Sequence, residues 1–198
     1  MKTNTYMPTG KIIIIAAPSG CGKSTIINAL MDGGDLNLGF AVSATTRPPR
    51  QGEAHGVNYY FMSEDAFRDA IREGEFVEYE EVYPGRFYGT LRSEIDRITG
   101  DGHNIILDLD VNGALRVKNM YDNRAVAIFI EPPSIDELRR RLESRATETP
   151  ESIDERVDRA AYEISRGGAF DYRVVNDDLG DAIKRTHNII DAFCTLNP

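Results

Sequence analysis

The apolar run Ile12–Ala16 passes straight into Ala17-Pro18-Ser19-Gly20-Cys21-Gly22-Lys23-Ser24-Thr25, and a helical pattern begins at Ile26-Ile27-Asn28-Ala29-Leu30. A buried strand, a glycine-bearing loop and a helix start, in that order, are the layout of a phosphate-binding loop. Small residues let successive backbone N–H groups turn inward on an anion. The helix N-terminus adds unpaired N–H groups and a partial positive charge. Lys23 has the length to reach the outer phosphates of a nucleoside triphosphate, and the Ser24 hydroxyl suits a Mg²⁺ ion bound with them. The motif's first glycine is replaced by Ala17. Residues Ala17 to Thr25 are therefore an expected phosphate-binding loop for a nucleoside triphosphate, with Lys23 on its outer phosphates and Ser24 a metal contact.

Composition sets the background for that loop. The chain has 198 residues, 41% of them hydrophobic and 28% charged, with a formal net charge of −9. This suits one well-cored domain with inserted lobes. The negative charge argues against nucleic acid and anionic membrane as partners, so any phosphate site must concentrate Lys and Arg locally. Two cysteines, Cys21 and Cys194, make no disulfide framework. The N-terminal stretch has no signal-peptide core and no apolar run approaches transmembrane length, so a cytoplasmic location is expected.

Apolar runs near 11–17, 104–109, 124–131 and 172–176 alternate with helical patterns near 23–32, 112–120, 134–145, 150–166 and 178–194. Such alternation predicts an α/β fold with a parallel sheet flanked by helices. The stretch from about 40 to 90 differs. Strand-like pieces at Phe40–Ser43, Asn58–Phe61 and Glu75–Val82, a helix near 63–73 and many turn residues predict an inserted α+β lobe. Ser134-Ile135-Asp136-Glu137 reads as a capping box, and Thr149-Pro150 as an N-cap with proline in the first helical position.

Two further segments carry chemistry. The strand Asn104–Asp108 ends in a carboxylate, which beside a phosphate-binding loop suits Mg²⁺, directly or through water, and elsewhere is a turn residue. Arg47 and Arg50 lie close together on proline-stiffened chain in Thr45-Thr46-Arg47-Pro48-Pro49-Arg50-Gln51-Gly52-Glu53. Two guanidinium forks at this spacing suit a phosphate; the other reading is a solvated loop in which they pair with Glu53. Tyr59 and Tyr88 offer phenolic donors to the same anion. Cys21, at a helix start beside Lys23, is either an activated thiol or a small tolerated loop residue.

The blocks APSGCGKST, VSATTRPPRQGEAHGVNYYF, EFVEY, FYGT, IILDLDVNGA, FIEPPSIDELRRRLESRATET and VVNDDL resemble those of the guanylate kinases, in the family's order and over nearly the whole chain. Phe87 stands where the family often has tyrosine, and Val82-Tyr83-Pro84 varies. The resemblance implies a P-loop core (1–41, 92–133 and 166–198), a GMP-binding lobe (42–91) and a helical lid (134–165). It implies transfer of the γ-phosphoryl of ATP to GMP with Mg²⁺ as cofactor, dGMP being a further acceptor, and it leaves the oligomeric state open. By motif it places Ser43, Glu78, Thr90 and Asp110 on guanine, and Arg47, Arg50, Tyr59 and Tyr88 on the GMP phosphate. Arg141, Arg145 and Arg156 match the arginines of phosphoryl transfer, and Asn176 falls near the ATP base. Lys23 is catalytic with them, and Ser24 and Asp108 serve the metal.

Among Glu78, Glu80 and Glu81 only the resemblance selects Glu78. Arg141 shares a helix face with Arg145, which suits a polyphosphate, but it also lies four residues after Glu137, which suits a salt bridge. Two other classes remain open: a family-like interaction module without catalysis, and a kinase of another phosphorylated acceptor such as a ribose bisphosphate.

Overall fold

The computed structural model describes residues 10–144 and 149–196. In chain order it contains β1 (Ile12–Ala16), α1 (Lys23–Gly33), β2 (Leu38–Phe40), β3 (Ala44–Thr45), β4 (Tyr60–Phe61) and α2 (Glu64–Arg72). Then come β5 (Phe76–Tyr83), β6 (Arg86–Leu91), α3 (Arg92–Gly100), β7 (Asn104–Leu109), α4 (Val111–Tyr121) and β8 (Ala125–Glu131). Last are α5 (Ile135–Glu143), α6 (Pro150–Arg166), β9 (Tyr172–Val175) and α7 (Leu179–Leu196). The chain divides into two compact units, one of Gly39–Ile105 with Gly10 and Lys11, the other of Ile12–Leu38 with the described residues from Ile106 onward.

The second unit is built on a five-stranded sheet in the order β2-β7-β1-β8-β9, and β8 pairs in parallel with both β1 and β9. The continuous apolar runs of β1 and β8 follow from this position: every residue of both strands is buried. A strand covered on both faces needs no polar alternation. Ile13, Ile15, Ile106, Val126, Ile128 and Ile130 form one core with Ile26, Ile27 and Leu30 of α1 and Ala182 and Ile190 of α7. Burying each such large aliphatic side chain is worth about 1.5–3 kcal/mol. This is the α/β fold the alternation predicts.

Both N-caps form, while the Glu137 carboxylate binds Arg140 and Arg141. Ser134 Oγ accepts the Glu137 N–H at 3.1 Å, and Thr149 Oγ1 accepts the Ser152 N–H at 3.3 Å. Helices α5 and α6 pack through Leu138, Leu142, Ile153, Val157 and Ala160 around Cys21. No helix among the described residues is long and apolar enough to cross a membrane.

The first unit carries a four-stranded sheet in the order β4-β3-β6-β5. Its core joins Ala44, Phe76 and Phe87 to Phe67 and Ala70 of α2, with the Phe67 ring stacked 4.3 Å from Phe76 and 5.3 Å from Phe87. The sequence pattern missed two elements here, β6 and α3. Strand β6 is interrupted by Gly89, where an added Cβ would lie 2.8 Å from both Glu78 O and Phe76 Cδ1. Helix α3 has the apolar Leu91 at its N-cap and no side-chain cap, so neither end-signal nor clean periodicity announces it. The expected strand Phe40–Ser43 is replaced by β2, which ends at Phe40, and β3, which begins after Ser43.

Candidate functional site

The phosphate-binding loop is held open by its glycines. Gly20 and Gly22 have φ of 92° and 82°, left-handed values that cost a side chain 1 kcal/mol or more, roughly. Gly22 is the N-cap of α1, and α1 has neither a side-chain cap nor an acidic residue in its first turn. Its leading N–H groups are left to an anion. Pro18 is buried, Ala17 and Gly20 half-buried, and Ser19, Ser24 and Thr25 exposed. The Cys21 N–H closes the turn onto Pro18 O at 3.2 Å.

Charged groups converge on this loop. Lys23 Nζ donates to Leu109 O at 3.0 Å and pairs with Asp108. Arg156 of α6 donates to Ser19 Oγ at 3.0 Å. Arg141 of α5 donates to Glu137 at 2.8 Å and to Asn176 O at 2.9 Å. Asn176 in turn donates its amide to Cys21 O at 2.8 Å. Thus the buried Asn176 side chain grips the loop backbone, and its own carbonyl seats Arg141. Asp110 caps α4, its Oδ1 accepting the N–H groups of Asn112 and Gly113 at 2.8 and 3.1 Å. Arg139 pairs with Asp154 and Arg140 with Glu137, so neither joins this group.

In the first unit, the strand registers divide the residues between two faces. Ladder partners share a face. Leu91 opposes Phe76, and Gly89 opposes Ala44, on the face toward α2; Thr90 opposes Glu78, and Tyr88 opposes Thr45, on the other. A register shift between Phe76 and Glu78 is what turns Glu78 away from the Phe76 face. Without this bulge, residues 76 and 78 would point the same way. The result is a buried carboxylate, 6% exposed, whose Oε1 accepts the Thr90 hydroxyl at 2.7 Å. Glu80 and Glu81 are exposed.

Beside Glu78 and Thr90 stands Tyr88, whose ring lies 6.0 Å from Tyr59, with the Arg47 guanidinium 5.3 Å from the Tyr59 centroid. Glu53 holds Arg47 as a fork, with both bonds at 2.9 Å, and also accepts the Arg50 N–H at 2.7 Å. The Arg47 bonds, with the Arg50 N–H, hold the Glu53 carboxyl below its usual range. The pairing of this loop with Glu53 is therefore real for the Arg47 side chain and the Arg50 backbone. The Arg50 side chain is exposed, and Ser43 and Tyr59 are half-buried.

The family model for guanylate kinase matches residues 9–193. The chain is 51% identical to the guanylate kinase of Bacteroides fragilis over 187 residues, covering 94% of this chain and 91% of that protein. It is 47% identical to that of Salinibacter ruber, covering 94% and 98%. The crystal structure of guanylate kinase from Anaplasma phagocytophilum superposes with a TM-score of 0.71 at 35% identity, covering 94% of this chain and 87% of that one. The chain belongs to the guanylate kinase family.

Within this guanylate kinase fold the expected site residues fall into two groups, each described in its own unit. Lys23, Asp108, Arg141, Arg156 and Asn176 gather with the loop residues 17–25, while Asp110, expected on guanine, lies in the same unit as the cap of α4. Ser43, Arg47, Arg50, Tyr59, Glu78, Tyr88 and Thr90 belong to the four-stranded sheet and its loops. Arg145 lies outside the described residues. Among the described residues no three His, Cys, Asp or Glu side chains form a metal cage.

The activated-thiol reading of Cys21 is overturned. The residue is fully buried under α5 and α6, and burial pushes its thiol up to about 12, against a smaller opposing pull from Arg141. A protonated, enclosed thiol is a poor nucleophile. Iodoacetamide at neutral pH is expected to modify the half-buried Cys194 in the folded protein and spare Cys21, as read by peptide mass mapping. Peroxide treatment is expected to reduce turnover equally in wild type and Cys21→Ala.

The sequence reading passed over Glu94. Its carboxylate is 2% exposed, and burial alone would raise its pKa. Bonds from Arg97, the Val42 N–H and Tyr60 reverse that and hold it below the usual carboxylate range. An Arg-Ser-Glu-Ile stretch after a strand carries no local signal of such burial. Only the partners, 52 and 34 residues away, create it.

Proposed function

We propose that this enzyme transfers the γ-phosphoryl group of ATP to GMP, giving ADP and GDP, with dGMP as a second acceptor, and that it works in the cytoplasm on nucleotides rather than on nucleic acid. The observation that carries the guanine assignment is the buried Glu78–Thr90 pair on the sheet face shared with Tyr88. Guanine presents two adjacent donors, N1–H and the 2-amino group, and a carboxylate accepts both. Adenine sets a lone pair at N1 against that carboxylate. A buried acceptor left unpaired rejects the wrong base by about 10⁴-fold in well-built sites. Ser43, and Thr90 once its hydroxyl proton turns from Glu78, donate to guanine O6 and N7, and Asp110 completes the guanine contacts.

Arg47, Arg50, Tyr59 and Tyr88 hold the GMP phosphate. In this reading Glu53 pre-sets the Arg47 fork, so that the guanidinium is ordered before the anion arrives. The loop residues 17–25 take the triphosphate of ATP, with Asn176 near its base. On ATP binding the Lys23 ammonium turns from Asp108 and Leu109 O to the β- and γ-phosphates. Arg141, Arg145 and Arg156 stabilise charge on the transferring group. The acceptor is a phosphate oxygen and already a nucleophile, so no general base is needed; positioning and charge neutralisation make the rate. Residues 42–91 form the acceptor lobe and 134–165 the lid, and their closure excludes water and limits hydrolysis of ATP.

Ser24 and Asp108 suit Mg²⁺, Asp108 directly or through water. One hydroxyl and one carboxylate, with no group of three His, Cys, Asp or Glu side chains among the described residues, fit an ion that keeps its waters and takes phosphate oxygens. When bound, it neutralises charge on the ATP phosphates.

The test is a panel of acceptors with ATP and Mg²⁺: GMP, dGMP, AMP, UMP, CMP and ribose 1,5-bisphosphate. GMP is expected to give the highest kcat/KM. A better acceptor among the others overturns the assignment, and no turnover with any of them favours the non-catalytic module.

A further inference from the structure

Glu94 accepts hydrogen bonds at both oxygens from three separate pieces of chain. Its Oε1 takes the Val42 N–H at 3.1 Å and Arg97 Nη2 at 2.8 Å; its Oε2 takes the Tyr60 hydroxyl at 3.0 Å and Arg97 Nε at 3.0 Å. A carboxylate offers about four lone-pair sites, so this one is filled. It is not poised to take a ligand.

Its partners have consequential neighbours. Val42 immediately precedes Ser43, and Tyr60 immediately follows Tyr59. The Tyr60 N–H donates to Ser43 O at 2.9 Å. Ser43 is therefore tied on one side through the Val42 amide to Glu94, and on the other through its own carbonyl to Tyr60, which Glu94 also holds. The Tyr60 side chain faces the α2 core with Ala44, which leaves Tyr59 and Phe61 on the opposite face by alternation; their rings lie 5.8 Å apart.

We propose that Glu94 is a positioning residue for the acceptor nucleotide: it locks Val42–Ser43 and Tyr59–Tyr60 into one rigid element, so that a guanine contact and a phosphate contact arrive pre-spaced. The proposal rests on the reading of Ser43 and Tyr59 as GMP contacts. Arg97 supplies the counter-charge that keeps the buried carboxylate ionised, and the ionised form is the one that accepts from both Val42 and Tyr60. A glutamine keeps the shape but replaces one acceptor by a donor, so it holds only one of the two segments.

The test uses Tyr60→Phe, which removes a single hydroxyl, beside Glu94→Gln, with thermal melting to follow folding. The KM for GMP is expected to rise about threefold in Y60F and about tenfold in E94Q, as for lost bonds to a charged group. The KM for ATP and kcat at saturating GMP should stay within about twofold, because positioning of the acceptor is uniform binding. Ser43→Ala should raise the GMP KM less in the E94Q background than in wild type, the mark of residues acting as one unit. A lowered melting temperature with an unchanged GMP KM in both variants overturns the proposal and leaves a purely structural role. So does a parallel rise in the KM of ATP and GMP. If the unaltered protein fails to bind GMP, the functional reading itself falls and this one with it.

Discussion

Lys23→Met is expected to lower kcat by at least about 10²–10³-fold, the scale seen when one preorganised charge on a transferring group is removed. In the structure the Lys23 ammonium is held by Asp108 and Leu109 O at the opening of α1. Methionine keeps the length and packing of the side chain and deletes the charge. Asp108 is left without its partner, but its side chain is 32% exposed and water can solvate it, so the fold should survive. GMP binding should survive as well, because the GMP contacts assigned to the four-stranded sheet do not include Lys23. Three measurements separate these effects: turnover by coupled detection of ADP, GMP affinity by calorimetry, and the melting temperature. Turnover within threefold of wild type would remove Lys23 from the chemistry. Loss of GMP binding together with turnover would point instead to a folding defect.

Glu78→Gln is expected to reduce kcat/KM for GMP by about 10²–10³-fold and to leave the low activity with AMP nearly unchanged, collapsing the base preference. The carboxylate is buried and already accepts the Thr90 hydroxyl at 2.7 Å. An amide in its place sets an N–H against one of guanine's two donors, and a buried clash of donors costs more than a missing bond. The GMP phosphate contacts assigned to Arg47, Arg50, Tyr59 and Tyr88 are untouched, so inorganic phosphate or a ribose phosphate should compete as before. An unchanged GMP-over-AMP ratio would show that Glu78 does not read the base. Glu80→Gln and Glu81→Gln serve as controls, since both side chains are exposed and both changes should be silent.

The three neighbouring glutamates show where sequence reasoning stops. Their spacing on β5 fits an ordinary exposed strand, and family resemblance alone picks out Glu78. The physical selection is the bulge after Phe76, which turns Glu78 and Glu80 to the Tyr88 face, together with burial, which encloses Glu78 and leaves Glu80 exposed. A bulge depends on which residue of β6 opposes which residue of β5, and no local pattern encodes that pairing. The same limit applies to Glu94 and to Cys21. Each has an unremarkable sequence setting, and each has its state set in part by chain far away: Val42 and Tyr60 join the near neighbour Arg97 on the first, and α5 and α6 cover the second. The Arg47 loop is an intermediate case. Its two readings, phosphate grip and pairing with Glu53, were both legible from residues 47 to 53; the geometry shows the pairing, and in the proposed function that pairing orders the guanidinium for the phosphate.

What the sequence determined by itself was whatever rests on near neighbours. The glycines that open the loop, the uncapped start of α1, the caps at Ser134 and Thr149 and the fully apolar strands β1 and β8 are all short-range matters of backbone freedom, hydrogen bonding and hydrophobic run length. Family membership was legible for the same reason, since its marks are contiguous blocks. Only the tertiary structure decided which carboxylates are buried, which way they face and what holds them charged. Burial and hydrogen-bond partnership between residues tens of positions apart arise when strands choose a register and helices cover them, and a register is a property of pairs of segments rather than of either one.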